Sequence, residues 1–129
     1  SSSALHQGGD HRDQRVMITA ILYRENGRYT GYRASGHSGY AEAGSDIICA
    51  AVSILGCTCV NAMEKLLGVV ATVHHHHDGL LSFDLPETAG EQAAGTQLLI
   101  GALHQGLTDL QEAYPKYVRF EIKERRSER

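Results

Sequence analysis

The chain has 129 residues, of which 42% are hydrophobic, and its formal net charge at pH 7 is −3. This length and composition suit one globular domain with a modest core, and the weak negative charge argues against direct nucleic-acid binding through a broad basic face. Its three cysteines, an odd number, favour a reducing compartment over a disulfide framework.

The beginning of the chain differs in composition from the rest. Residues 1–16 are rich in Ser, Gly, His and Asp and precede Met17, a plausible start residue. We expect a disordered leader or a cloning remnant here, and a single domain over residues 17–129. No signal peptide is recognisable, so we expect a cytoplasmic protein.

Two β-strands are predicted at the start of the domain. Residues 16–23 are rich in β-forming side chains, and residues 28–35 follow the pair Asn26-Gly27, which favours a tight hairpin turn. The hairpin places His37 just past the end of its second strand, at an edge of the sheet.

A long apolar helix is predicted from residue 47 to residue 67. Ser45 or Asp46 is a suitable N-cap, because a short side-chain oxygen can accept a hydrogen bond from the first turn. With Asp46 as the cap, Cys49 is the third helical residue, where unpaired N–H groups and the helix dipole favour a thiolate.

One stripe of this helix is predicted to pack on the sheet. Cys49 and Ser53 lie one turn apart on a different face, so Ser53 either helps to build a site beside Cys49 or bonds a carbonyl of its own helix. Several polar residues interrupt the apolar run, which argues against a membrane span. The packed stripe consists of Ile48, Val52, Leu55, Cys59, Ala62 and Leu66.

The second half of the domain is predicted to hold three strands and one helix. The predicted strands are 68–74, 80–85 and 116–123, and the helix runs from 86–88 to about residue 114. The resulting order, ββαββαβ, predicts an α+β fold of two layers, with one mixed or antiparallel five-stranded sheet and two helices.

Two groups of potential metal ligands are weak candidates. Alternate members of the run His74 to His77 share one face of a strand, but no carboxylate or cysteine stands at a recognised ligand spacing, so we predict a solvated hairpin end. Cys57 and Cys59 point in nearly opposite directions on a helix and are interpreted as packing residues. We therefore expect no metal or cofactor.

The stretch from Gly36 to Cys49 is the candidate for catalysis. Its glycines allow the loop to fold back so that the imidazole of His37 and the thiol of Cys49 meet. Such a pair supplies a nucleophile and its acid–base partner, and helix-start amides can bind an oxyanion. The alternative interpretation is a buried apolar cysteine and a surface histidine. Residues 37–44 are predicted to form a mobile lid in the absence of substrate.

The run GHSGYAEAGSDIICAAVS resembles the signature of the ribosomal-processing cysteine proteases of bacteria. In that signature a Gly-His pair is followed by a short glycine-bearing loop and then by Gly-x-Asp-Ile-(Val/Ile)-Cys-Ala-(Ala/Gly)-x-Ser. Gly36 and His37 match the first part. The second part is matched by Gly44, Asp46, Ile47, Ile48, Cys49, Ala50, Ala51 and Ser53.

The resemblance implies a cysteine endopeptidase that removes the N-terminal extension of a large-subunit ribosomal protein precursor during ribosome maturation. It implies His37 and Cys49 as the catalytic dyad, and a homodimer of a small α/β fold that cuts after a hydrophobic, aromatic-rich stretch. The supporting residues of the site are Gly36, Gly44, Asp46 and Ser53.

Two other functions stay open. A non-enzymatic, ribosome-associated assembly module would use the same loop only for binding, and a thiol-based redox or acyl-transfer protein would use Cys49 without recognising a peptide. The presence of both dyad residues favours the protease over the assembly module. The absence of a second cysteine at C-x-x-C spacing counts against the redox protein.

Overall fold

The computed structural model describes residues 17–36, 43–75 and 80–125, with residues 43–46 described through their backbone alone. Its elements are β1 (Ile18–Glu25), β2 (Arg28–Gly36), α1 (Ala43–Ala62), a π-helical turn (Met63–Leu67), β3 (Thr72–His75), β4 (Leu81–Asp84), α2 (Gly90–Ala113) and β5 (Val118–Glu124). The π-helical turn continues α1 directly, so the predicted order ββαββαβ is confirmed.

The five strands form one mixed sheet in the order β3-β4-β2-β1-β5. β1 pairs antiparallel with β2 and parallel with β5, so Ile18 lies between Gly36 and Val118. The β1–β2 hairpin turns at Asn26 and Gly27, whose φ angles of 55° and 79° are those of the predicted tight turn.

Both helices lie on the same face of the sheet. Gly56 of α1 approaches the side chain of Tyr32 on β2, and His104 of α2 lies edge-on to the ring of Phe120 on β5. The strand register puts Tyr32 and Phe120 on the same face as the buried Leu22 of β1. The architecture is therefore the predicted two-layer α+β fold, with the core between the helices and one sheet face.

The packed stripe of α1 shifts at its C-terminal end. Ile48, Val52 and Cys59 are buried as predicted, whereas Leu66 is 73% exposed and Met63 is fully buried. Residues of a π-helical turn advance less around the axis than those of an α-helix, so the turn rotates Leu66 away from the sheet. A stripe counted at α-helical spacing cannot anticipate this rotation.

The apolar segment Ile47–Leu67 is long and apolar enough to cross a membrane by length and composition alone. Its polar interruptions are therefore too few to exclude a membrane span, contrary to the expectation from sequence. In the fold, the buried stripe of the segment packs into the core with the sheet and α2, which is the arrangement of a core helix.

The third strand begins later than predicted. It starts at Thr72 instead of residue 68, because Gly68 has a left-handed φ of 70° and ends the π-helical turn. The N–H of Gly68 donates to the carbonyl of Glu64, so this residue belongs to the helix terminus.

The second helix also begins later than predicted. It starts at Gly90 instead of residues 86–88, and Ala89 before it is extended. Backbone hydrogen bonding to β2 continues one residue past β4, because the N–H of Leu85 donates to the carbonyl of Thr30. The predicted end of the helix is close to its observed end at Ala113.

Candidate functional site

The short connection between β2 and α1 decides where the start of α1 lies. Gly56 sits above Tyr32, and Ala43 lies about 20 Å from Gly56 along the helix axis. If α1 ran parallel to β2, Gly36 and Ala43 would be about 33 Å apart, but the six intervening residues span at most about 25 Å. The start of α1 therefore lies at the end of the sheet where β2 finishes.

The structure places one member of the predicted catalytic pair. Cys49 is half-buried on α1 and packs against the edge of the core. His37 lies outside the described residues, as does most of the predicted lid at 37–44. Gly36 is the last residue of β2, so the chain leaves the sheet for His37 at the same end at which α1 begins.

The predicted helix start is wrong by several residues. α1 begins at Ala43, so Ser45 and Asp46 lie within its first turn, and neither is the N-cap. Cys49 is then the seventh helical residue instead of the third, and its own N–H lies beyond the four unpaired ones of the first turn. Because Cα–Cβ bonds tilt toward the N-terminus of a helix, the Cys49 side chain still leans back toward that first turn.

The flank of α1 that carries Cys49 faces β4. Cys49, Ser53 and Gly56 follow one another at spacings of four and three residues, which places them along one side of the helix. At Gly56 a Cβ atom would be 3.3 Å from Cδ1 of Leu81, so this side lies over β4. The prediction that Cys49 and Ser53 line one surface is therefore consistent with the helix geometry.

The three thiols differ in their surroundings. Cys49 and Cys57 are half-buried, whereas Cys59 is 6% exposed and its Sγ is 3.8 Å from the carbonyl oxygen of Leu99. Burial raises the pKa of the Cys59 thiol to about 12. Burial, and then the nearby Cys59, also raise the pKa of Tyr32. Cys59 is therefore a packing residue, as predicted, and not a nucleophile.

Gly36 ends β2 in close contact with β1. A Cβ atom at Gly36 would lie 2.9 Å from the Cα of Ile18 and 3.1 Å from the carbonyl oxygen of Met17. Both contacts are to backbone atoms, which cannot move aside as a side chain can. The absence of a side chain at Gly36 therefore keeps β2 paired with β1 up to the residue that precedes His37.

We expect Gly36→Val to lower the free energy of unfolding by about 1–3 kcal/mol, because the added side chain must push the two strands apart. The substitution should also displace the strand end next to His37. Ser35→Val is the matched control, because Ser35 is exposed and the same side chain suits a strand there. Urea unfolding measures both variants, and equal stabilities would contradict the close-contact argument.

The histidine run does not gather ligands in the part of the chain that is described. His74 and His75 are successive residues of β3 and point to opposite faces, and Nε2 of His74 is 3.6 Å from Oδ2 of Asp84. His76 and His77 lie outside the described residues. Within residues 17–36, 43–75 and 80–125, no group of three or more His, Cys, Asp and Glu side chains could hold a metal ion.

Two surface features escaped the sequence analysis. An apolar groove of about 660 Å³ lies between the start of α1 and the end of α2, and its lining includes Ile47, Ile54 and Leu110. On the other face of the sheet, Arg125 reaches from the end of β5 across β1 and β2 to Asp84 on β4. Exposed apolar residues on the outer side of α1 are a sequence signal for the groove, but nothing local in the sequence indicates the reach of Arg125.

Comparison with known proteins identifies relatives over most of the domain. A family model described as Cysteine protease Prp matches residues 17–119. The chain is 29% identical over 106 residues to the Ribosomal processing cysteine protease Prp of Bacillus subtilis (strain 168), covering 80% of this chain and 95% of that protein.

Solved structures share the fold. SMU.848 from Streptococcus mutans superposes with a TM-score of 0.76 at 34% identity, covering 84% of this chain and 96% of that one. An essential ribosomal processing protease Prp from S. aureus, in complex with a covalently linked product peptide, superposes with a TM-score of 0.70 at 26% identity. That alignment covers 83% of this chain and the whole of the other.

Proposed function

Because the chain belongs to the family of the cysteine protease Prp, and is therefore a cysteine protease, we propose that it removes the N-terminal extension of a large-subunit ribosomal protein precursor. The observation that carries the proposal is the family match over residues 17–119, which contains the whole His37 to Cys49 stretch. The alternatives of an assembly module and a redox protein lose their support, because neither is a peptide hydrolase.

In the proposed mechanism Cys49 is the nucleophile. Its Sγ attacks the carbonyl carbon of the scissile bond while His37 takes the thiol proton, and His37 then gives that proton to the leaving amine. Water hydrolyses the resulting thioester and restores the thiol. The covalently linked product peptide in the S. aureus protein supports a covalent route of this kind.

The start of α1 supplies the proposed oxyanion contacts. The N–H groups of its first three residues, which include Gly44, have no partner within the helix. The Cys49 side chain leans toward them, so the oxygen of an attacked carbonyl would lie at the positive end of the helix dipole. Ser53, one turn further along the same flank, is proposed to orient the substrate.

Incubation with candidate ribosomal protein precursors tests the proposed substrate. The purified protein should convert one precursor to a shorter form with a single new N-terminus, found by mass spectrometry. An assembly module would bind the precursor and leave it intact. Cleavage of general peptide substrates without cleavage of any ribosomal protein precursor would contradict the proposed substrate but not the protease activity. A cytoplasmic location is part of this proposal, because ribosomal proteins are assembled there.

We also propose a homodimer, with the apolar groove between α1 and α2 buried against a second copy. Ile47 and Ile54 at this groove are 65% and 64% exposed, which is unusual for large apolar side chains clustered on one surface. A second copy is a suitable cover, because a symmetric dimer brings the same apolar patch from each subunit together.

Light scattering at micromolar concentration should give twice the chain mass of 14.0 kDa. Ile54→Glu should convert the dimer to a monomer, because it places a charge inside the buried patch. Leu66→Glu is the matched control: Leu66 is 73% exposed but lies at the other end of the helical segment, away from the groove. Dissociation by Leu66→Glu alone would show that the dimer uses another surface.

A further inference from the structure

The sheet face opposite the helices is charged. In β1 the buried Ala20 and Leu22 point to the helices, so Ile21 and Tyr23 between and after them point to the opposite face. The strand register assigns positions on β2 and β5 to the same face. The exposed basic residues at these positions are Arg33 on β2 and Arg119 and Lys123 on β5.

Arg125 extends this basic face across the sheet. Its guanidinium carbon lies 4.1 Å from the ring centroid of Tyr23, and Nη2 is 3.5 Å from Oδ1 of Asp84 on β4. His74 approaches the same carboxylate at 3.6 Å. Together with Arg33 these side chains line a cleft of about 260 Å³ on the open face of the sheet.

The two layers of the described domain carry opposite charge. Away from the β1–β2 turn, the sheet face carries four basic side chains, which are Arg33, Arg119, Lys123 and Arg125, and two acidic ones, which are Asp84 and Glu121. The described side chains of the helical layer include four acidic ones and one basic one. The acidic ones are Glu64, Glu91, Asp109 and Glu112, and the basic one is Lys65. The net charge of −3 therefore averages two unlike surfaces. A conclusion about nucleic-acid binding from net charge alone does not apply to either surface.

The basic groups of the sheet face are available to a partner. Among the described residues, the ion pairs of this face join Asp84 to His74 and Arg125, and none involves Arg33, Arg119 or Lys123. Arg119 and Lys123 are four residues apart on β5, which corresponds to about 13 Å. Arg33 is on β2, two strands from β5, and two strand spacings correspond to about 10 Å. The three basic charges therefore surround Ile21 on β1 and the half-buried Glu121, which lies beside Ile21 on β5 between Arg119 and Lys123.

We propose that this face binds a single-stranded nucleic acid through the phosphate backbone, with RNA as the probe. Charges spread over about 10–13 Å are best matched by a polyanion that repeats its charge along its length. The Tyr23 ring and the Arg125 guanidinium above it offer a flat surface beside which a base can stack, and the cleft has room for one. The proposal goes beyond proteolysis and does not depend on which precursor is cut.

Fluorescence anisotropy with a labelled 20-nucleotide oligouridylate tests RNA binding. Three phosphate contacts to a single strand predict a slope of log K against log salt near −2, so raising salt from about 50 to 200 mM should weaken binding about 20-fold. Arg33→Gln, Arg119→Gln and Lys123→Gln should each reduce the magnitude of that slope by about 0.7. The triple variant should bind at least about tenfold more weakly at the lower salt concentration.

Lys65→Gln is the control, since it removes one positive charge from the helical layer and should leave binding unchanged. Thermal unfolding checks that every variant is folded, and peptide cleavage by the triple variant should equal that of the parent protein. The proposal is overturned if the parent shows no salt-dependent binding at about 50 mM salt, or if the triple variant binds as tightly as the parent. Equal competition by polyglutamate would show a surface for acidic protein instead of nucleic acid.

Discussion

Replacing Cys49 with Ala is expected to abolish peptide cleavage, with a loss of at least about 10⁴-fold in rate, while the domain stays folded. The substitution removes the proposed nucleophile, and Cys57 and Cys59 lie more than two turns further along α1, away from the helix start. Cys49 is half-buried, so the loss of its sulfur should lower the free energy of unfolding by no more than about 1–1.5 kcal/mol. Precursor binding should persist in the variant.

Cys57→Ala is the matched control for this prediction. Cys57 lies two turns further along the same helix, is also half-buried, and should be replaceable with nearly full activity. His37→Ala should abolish cleavage as Cys49→Ala does, because the acid–base partner is lost. Cleavage at the same bond by the Cys49 variant would show that another residue is the nucleophile.

The elements with strong local signals could be predicted from sequence. Asn26 and Gly27 both take the positive φ angles that a tight hairpin needs, and few other residue pairs do so at low cost. In β5, apolar and charged residues alternate, and the burial follows this pattern: Val118 is buried, Arg119 is exposed and Phe120 is half-buried. The order of elements follows from such signals, and the two-layer fold follows from the order.

The start of α1 could not be predicted, because a capping signal competed with helix extension. Ser45 and Asp46 have the side chains of good N-caps, yet the helix continues back through Ala43 and Gly44, which carry no such signal. This error matters for the site, since it moves Cys49 from the first turn to the second.

Two further features could not be predicted from the sequence. The first is the π-helical turn: its sequence, MEKLL, also suits an α-helix, so its rotation of Leu66 is visible only in the fold. The second is the contact between distant segments at the open sheet face. Arg125 and Asp84 are 41 residues apart in the chain and meet because β5 and β4 belong to one sheet. A charge count over the sequence cannot separate the two layers that these strands and helices form.

Cys49 should react with iodoacetamide faster than Cys57 and Cys59, and Cys59 should react slowest. Alkylation requires the thiolate. With a pKa of about 12, Cys59 has roughly a thousandfold less thiolate at pH 7.5 than an ordinary thiol. Its rate should rise about tenfold for each pH unit up to that pKa, because the acid form dominates below it. Cys49 leans toward the start of α1 and is expected to meet His37, both of which favour its thiolate.

Alkylation is stopped at a series of times, and peptide mapping by mass spectrometry then gives the three rates from one sample. His37→Gln should slow Cys49 toward the rate of Cys57, and a remaining excess would report the contribution of the helix start. Alkylation in concentrated urea is the control, since an unfolded chain should modify all three thiols at similar rates. One common slow rate in the folded protein would show that neither the imidazole nor the helix start activates Cys49, and fast alkylation of Cys59 would contradict its burial beneath α2.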